Sequence, residues 1–193
     1  KQYDNCDIIL AYSGGVDSQV LLHAIAQLKK QQQLTNNITV CHVNHGLSNN
    51  ALHWQNFAKQ QCEQLSLKLV VEKVEVVAQT QQSLEAIARE RRYNALKQLS
   101  DKPAVVLTGH HSDDQSETFL LALKRGAGLK GLSSMAQTSS LGKHFLVRPL
   151  LNISREQIQQ YALVNQLSWV EDESNSDTSF DRNFIRQEVM PLL

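Results

Sequence analysis

Two rhythms of apolar and polar residues alternate along the chain. Ile8-Ile9-Leu10-Ala11-Tyr12 is a short apolar run that ends in Ser13-Gly14-Gly15, which predicts a buried strand running into a tight turn. From Asp17 to about Lys30 the apolar residues fall at Val20, Leu21, Ala24, Ile25 and Leu28, a helical spacing. Gln31–Gln33 and Asn36-Asn37 read as a loop. Ile38–Val43 predicts a second strand, Asn49–Leu65 a second helix and Leu67–Val77 a third strand. Ser83 is placed to cap a helix carrying Leu84, Ile87, Ala88, Ala95, Leu96 and Leu99. Ala104–Thr108 predicts a fourth buried strand, and Ser112-Asp113-Asp114-Gln115 fits a capping box opening a helix to about Arg125. Glycines at 126, 128 and 131 mark a loop, and Phe145–Val147 predicts a fifth strand ended by Pro149. Ser154–Gln157 is a second capping box, with Ile153 and Ile158 placed as a hydrophobic staple. A polar segment from Glu171 to Asp181 precedes a short helix to Met190.

Strands alternating with helices predict a doubly wound α/β domain. The expected sheet is mainly parallel and five-stranded, with helices on both faces. Neither a repeat nor a low-complexity linker divides residues 1–193, so a single domain is expected.

With 41% hydrophobic residues the chain can fill a core, which excludes a wholly disordered polymer. Its longest apolar runs fall far short of the roughly 20 residues that span a bilayer, so no membrane partner is expected. The N-terminal residues lack the apolar region of a secretory signal, and the missing initiator Met suggests a trimmed chain. Cys6, Cys41 and Cys62 form no C-x-x-C pair, which argues against a disulfide scaffold or zinc ribbon and fits the cytoplasm. Lys plus Arg equals Asp plus Glu at 19 each, so any contact with nucleic acid must be local or shared with another domain.

Ser13-Gly14-Gly15-Val16-Asp17-Ser18 joins the first strand to the first helix, where ligands bind in this fold class. The glycines allow close backbone approach, the helix start suits phosphate, and Ser13 and Ser18 add hydroxyl donors. Asp17 can hold magnesium directly or through water. Neither a Walker loop nor a dinucleotide fingerprint is present. Instead S-G-G-x-D-S resembles the PP-loop of ATP pyrophosphatases, which split ATP into AMP and pyrophosphate.

Several other residues admit two readings. Asp114 and Glu117, three apart at a helix start, either complement the helix dipole or hold a cation. Glu85, Arg89 and Arg92 share a helical face that is either salt-bridged and solvated or turned to a site. His42, His45, His110 and His111 lack a fourth ligand at zinc spacing and are not read as a metal centre. Lys124, Arg125 and Lys130 with their glycines form either a mobile surface connection or a clamp on an RNA backbone, which Arg148 could join. Asp172–Asp177 lacks the Gly and Glu of an EF-hand, and Cys41 reads as a core residue.

Further segments narrow the PP-loop resemblance. They are His42–Leu47, Glu85–Tyr93, Thr108–Thr118, Leu121–Leu132, Arg148–Leu151, Glu171–Asp177 and Arg182–Arg186. In this order, over nearly the whole chain, they closely resemble the catalytic domain of the tRNA(Ile)-lysidine synthetase family. Members usually continue into C-terminal domains that help grip tRNA, so the expectation is the catalytic domain alone. The resemblance implies a ligase using ATP and magnesium. It adenylates the C2 oxygen of the wobble cytidine in the CAU anticodon of an isoleucine tRNA, and the amine of free L-lysine then displaces AMP. The lysidine formed pairs with A, changing the codon from AUG to AUA and the amino acid from Met to Ile.

By the same resemblance ATP meets Ser13, Gly14, Gly15, Val16, Asp17 and Ser18, and the adenosine pocket includes His42 and Gly109. Asp114 and Glu117 hold lysine, and Arg89 faces phosphate or the activated base. A homodimer is compatible with it. The competing readings are another PP-loop enzyme, such as a tRNA thiolase, and a non-catalytic nucleotide-binding module. Thiolation needs a persulfide cysteine or an iron–sulfur cluster. A module would leave the Asp114/Glu117 pair unexplained.

Overall fold

The computed structural model of the chain describes residues 3, 6–77 and 84–193, with Glu85 described by its backbone alone. β1 (Asp7–Ala11), β2 (Ile38–Asn44), β3 (Lys68–Lys73), β4 (Ala104–Leu107), β5 (Thr138–Leu141) and β6 (His144–Val147) form one sheet in the order β3-β2-β1-β4-β6-β5. All neighbours run parallel except β5, which pairs antiparallel with β6. The sheet therefore has six strands, not five. β5 reads Thr-Ser-Ser-Leu, with no apolar alternation, and is a strand because a tight hairpin folds it onto β6. The third strand ends at Lys73 rather than Val77, because β2 offers no partner beyond Asn44.

The intervening helices are α1 (Val16–Lys30), α2 (Ala51–Gln64), α3 (Leu84–Gln98), α4 (Ser112–Lys124), the single turn α5 (Leu129–Leu132), α6 (Arg155–Val164) and α7 (Asp181–Phe184). After α7 the chain continues as a wide π-type turn, Ile185–Val189.

A period of two along β1 assigns the faces. Ile8, Leu10 and Tyr12 pack with Leu21, Leu22 and Ile25 of α1 and Ala58 and Cys62 of α2. Ile9 joins Leu96 of α3, Cys41, Val106 and Leu146 on the other face. α6 lies on α1 through Val16, Val20, Ile158 and Ala162. Each buried Leu or Ile contributes about 1.5–3 kcal/mol, so both faces must be covered for the sheet to persist. Cys41 is a core residue, and burial beside Glu72 pushes its thiol up to about 12.

One capping box stands as read. Ser154 Oγ accepts from Gln157 N at 3.2 Å, and Gln157 Oε1 accepts from Ser154 N at 3.0 Å. The other is shifted by one residue. His111 is the N-cap of α4, its N–H donates to Asp114 Oδ2 at 3.0 Å, and Gln115 instead grips both backbone groups of Met135. An ionised acceptor at the third helical position makes the stronger, charge-assisted bond. The Ser83 cap lies outside the described residues. Among the described residues no helix is long and apolar enough to cross a membrane.

The order in which strands are added reverses at β1, which has β2 on one side and β4 on the other. The crevice beyond the carboxyl ends of β1 and β4 is therefore the expected ligand site.

Candidate functional site

The Ser13–Ser18 loop is folded around one hydroxyl. Ser18 Oγ accepts from Ser13 N at 3.3 Å and Gly14 N at 3.1 Å and donates to Gly15 O at 3.0 Å. Ser18 is thus the internal staple of the loop, and it also lines the crevice. Gly14 has φ +94°, and a Cβ there would stand 2.8 Å from Val170 Cγ2. Val170 N–H donates to Gly14 O at 3.0 Å, so the segment after α6 straps the loop from outside. Gly15 caps α1 without a side-chain bond, leaving first-turn amides directed outward. Val16 turns into the core against α6, while Asp17 faces the crevice.

Gly109, at the end of β4, packs against the loop from the other side. A Cβ on it would lie 3.1 Å from the Asp17 carbonyl carbon and 3.2 Å from Ser18 N, backbone atoms that cannot swing aside. Gly109→Ala should therefore cost about 1–3 kcal/mol of stability, an overpacking penalty. It should also weaken nucleotide binding by displacing the loop. Gly128→Ala, which meets open space, should be neutral within about 0.5 kcal/mol. Thermal melts of the two variants check this, and equal melting temperatures would refute it.

Behind Asp17 lies a layer of buried charge. Arg182 bridges the two carboxylates of α4, Nη2 to Asp114 Oδ1 at 2.8 Å and Nε to Glu117 Oε2 at 2.7 Å. Arg186 takes Glu117 side-on, Nε to Oε1 at 2.6 Å and Nη2 to Oε2 at 3.0 Å. Glu117 is 1% exposed. The carboxylates expected to hold a free amino acid thus carry two guanidiniums from the C-terminal segment. Arg182 and Arg186 stood in a motif in the sequence, but nothing local in it assigned them this partner. Burial works against the Asp114 carboxylate, yet His111 and Arg182 outweigh it and hold its pKa below the usual range.

His111, 1% exposed, sits among three carboxylates: Asp17 at 3.7 Å, Asp113 at 3.8 Å and Asp114 at 3.5 Å. Asp113 ties α4 to α6, its Oδ1 accepting from Ser112 Oγ at 3.0 Å and Arg155 N at 3.2 Å. Among the described residues Asp17 Oδ1, which is buried, has no hydrogen-bond partner. Burial raises the Asp17 pKa, opposed by His111, Arg155 and Arg186. An orphaned, desolvated carboxylate oxygen beside the uncapped first-turn amides of α1 fits a divalent cation or its water.

Two cavities flank the loop, and Ser13, Asp17 and Trp54 line both. The first, about 320 Å³, lies over the strand ends and is lined by His42, His45, Arg92, Tyr93, Gly109 and His110. Burial pushes its histidines down: His42 below its usual value, His45 and His110 to about 4. These imidazoles are neutral at pH 7 and suit an uncharged base. The second cavity, about 750 Å³, lies beyond the start of α1 and takes in Arg155, Trp169, Glu171 and Arg186.

Of the expected site residues, the structure gathers Ser13, Asp17, Ser18, His42, Gly109 and Asp114 at the first cavity. It leaves Arg89 off both walls, stacked 5.1 Å from the centroid of the Tyr93 ring, and puts Arg92 there instead. The basic segment makes specific contacts. Lys124 pairs with Asp181 at 2.6 Å, Lys130 sits on α5, and Gln115 anchors the segment at Met135. Arg148 does not belong to this loop's surface: it is buried, donating to Ala136 O at 2.6 Å. Among the described residues no group of three or more His, Cys, Asp or Glu side chains is arranged as a metal-binding cluster, so a cation at Asp17 would rely on ligand phosphates and water for its other partners.

The family model described as a PP-loop domain (ATP_bind_3) matches residues 1–193. The chain is 46% identical over 187 residues to a tRNA(Ile)-lysidine synthase of Actinobacillus pleuropneumoniae serotype 3 (strain JL03), covering 97% of this chain and 43% of that protein. It is 50% identical over 187 residues to the enzyme of the same name from Serratia proteamaculans (strain 568), covering 96% and 42%. The chain therefore spans about two-fifths of the length of these relatives. Among solved structures, the U34-tRNA thiolase NcsA from Methanococcus maripaludis, with its 4Fe–4S cluster, superposes with a TM-score of 0.73 at 16% identity, over 97% of this chain and 66% of that one. That likeness is one of fold alone.

Proposed function

The chain belongs to the PP-loop family, and on that premise we propose that it ligates free lysine to C2 of the wobble cytidine in the CAU anticodon of an isoleucine tRNA, through an adenylated cytidine. The observation that carries the reading is the placing of two charge sites one layer apart. Asp17 faces the nucleotide side, the Asp114/Glu117 pair lies behind it, and His111 stands within 3.7 Å of Asp17 and 3.5 Å of Asp114. A cationic substrate held by the pair would stand next to the phosphates of a nucleotide held by the loop.

The adenine enters the cavity of neutral histidines and the first-turn amides of α1 receive the phosphates. Asp17 would hold magnesium there, and the bound ion would offset negative charge on the phosphate oxygens. The cytidine O2 bonds to the α-phosphorus and pyrophosphate leaves. The lysine amine then bonds to C2 and loses a proton, and AMP departs with the oxygen. Arg182 occupies the place where an ammonium would bridge Asp114 Oδ1 and Glu117 Oε2, so lysine enters as Arg182 turns out, while Arg186 keeps Glu117.

The thiolase reading is weaker. Cys41 and Cys62 lie on opposite faces of the sheet, and burial pushes their thiols up to about 12 and about 11. Incubation with ATP, magnesium, lysine and a CAU anticodon stem-loop tests the proposal. AMP release should depend on the RNA, and the RNA should gain the mass of lysine less water. AMP release with no such gain would overturn it.

For the RNA we propose Lys124, Arg125 and Lys130. A phosphate displaces Asp181 from Lys124 readily, because an exposed pair is worth only about 0–1 kcal/mol. At roughly −0.7 per contact, log affinity against log salt should fall with a slope near −2. A filter-binding slope of about −6 would place the RNA on another surface.

A further inference from the structure

The second cavity holds two guanidiniums to which the steps above give no role on the nucleotide. Arg155 is the first residue of α6, and its backbone N–H is fixed by Asp113 at 3.2 Å. Among the described residues its side chain forms no ion pair. Arg186 is aimed by Glu117, which takes Nε and Nη2 and leaves Nη1 free of that contact. Both side chains line the cavity together with Ser13, Gly15 and Asp17. Both also pull the Asp17 pKa down against its burial, so their charge reaches the loop.

A nucleotide has one direction to take. Its base suits the cavity of neutral histidines, and the loop shared by the two cavities lies next. With the base in the first cavity, the outer phosphates of a nucleotide crossing the shared loop would face the second cavity. There the opposite wall is acidic, with Glu171, Asp172 and Glu173, so an anion has only the arginine wall to occupy.

We propose that Arg155 and Arg186 grip the pyrophosphate half of ATP, and that Glu117 positions Arg186 for this. The inference rests on the reading that the loop binds ATP and deepens it by naming the residues that hold the leaving group. As cytidine O2 bonds to the α-phosphorus, the bridging bond to the β-phosphate breaks and its electron pair stays on the departing pyrophosphate. Two fixed guanidiniums stabilise that growing charge with no proton transfer. The opening of the cavity to solvent gives the product a way out.

The test compares ATP, AMP and inorganic pyrophosphate, with magnesium, on wild type, Arg155→Gln and Arg186→Lys. Binding is read from quenching of Trp54 and Trp169, which line the cavity. Arg155→Gln leaves every ion pair of the α4 layer in place, so it should fold normally. It should weaken ATP and pyrophosphate at least about tenfold, the scale of a lost charge-assisted bond, and leave AMP within about twofold. Arg186→Lys keeps a charge for Glu117 and should weaken the same two ligands. Unchanged pyrophosphate affinity in both variants overturns the assignment, as does equal weakening of ATP and AMP. If wild type binds pyrophosphate but neither nucleotide, the ATP reading itself fails.

Discussion

Asp17→Asn should abolish ATP cleavage while the protein remains folded. The substitution is isosteric at the second position of α1 and keeps a polar side chain at a helix start, where Asn is well tolerated. It removes the negative charge and turns one oxygen into an amide NH2, at a side chain whose Oδ1 is buried and, among the described residues, has no hydrogen-bond partner. Metal stabilisation of phosphoryl charge amounts to several kcal/mol, and each 1.36 kcal/mol is a factor of ten. Turnover should therefore fall on the order of 100-fold or more. Stability should move the other way. The folded-state pKa of Asp17 is raised, chiefly by burial, so ionising it costs folding free energy, and stability is lost as pH rises through that raised value. The Asn variant lacks this loss and should melt at or above the wild-type temperature at pH 7. Wild-type turnover would remove the role given to Asp17, and a large drop in melting temperature would mean that the carboxylate supports the fold.

Glu117→Gln should show the opposite balance, a large loss of stability together with weakened lysine use. Glu117 is fully buried and accepts three N–H groups from two arginines. Gln offers one acceptor, and its amide nitrogen turns a donor toward a guanidinium. Breaking a buried pair costs about 3–5 kcal/mol. At roughly 2–4 °C per kcal/mol for a domain of this size, melting should drop by about 6–20 °C. At temperatures where the variant is folded, the lysine requirement should rise at least about tenfold, the scale of one charge-assisted bond. AMP formation without lysine should fall less. A melting temperature within a degree of wild type would show that the arginines find other partners.

These two carboxylates also separate what could be read locally from what could not. Asp17 was legible because everything it needs is within six residues: a strand end, two glycines and a helix start. Glu117 was legible as a face shared with Asp114. Its partners were not, because Arg182 and Arg186 lie 65 and 69 residues away. A charged residue in a polar segment looks the same whether it ends in solvent or in a buried pair. Ser18 reads as a ligand donor by type, and only the curl of the loop shows that its hydroxyl also holds Ser13, Gly14 and Gly15 together.

The sequence alone determined the order of strands and helices, the burial of both sheet faces, the position of the nucleotide loop and the capping of α6. Each follows from a periodicity of two or 3.6 residues or from a turn a few residues long, and such patterns depend on sequence neighbours. Tertiary structure alone decided the sixth strand, the strap of Val170 over Gly14 and the joining of α4 to the C-terminal arginines. It also decided the second cavity, whose walls come from the loop, α6 and the segment after it. Those features depend on which distant surfaces meet once the sheet is covered, and a single backbone hydrogen bond such as Val170 to Gly14 leaves no mark in residue type.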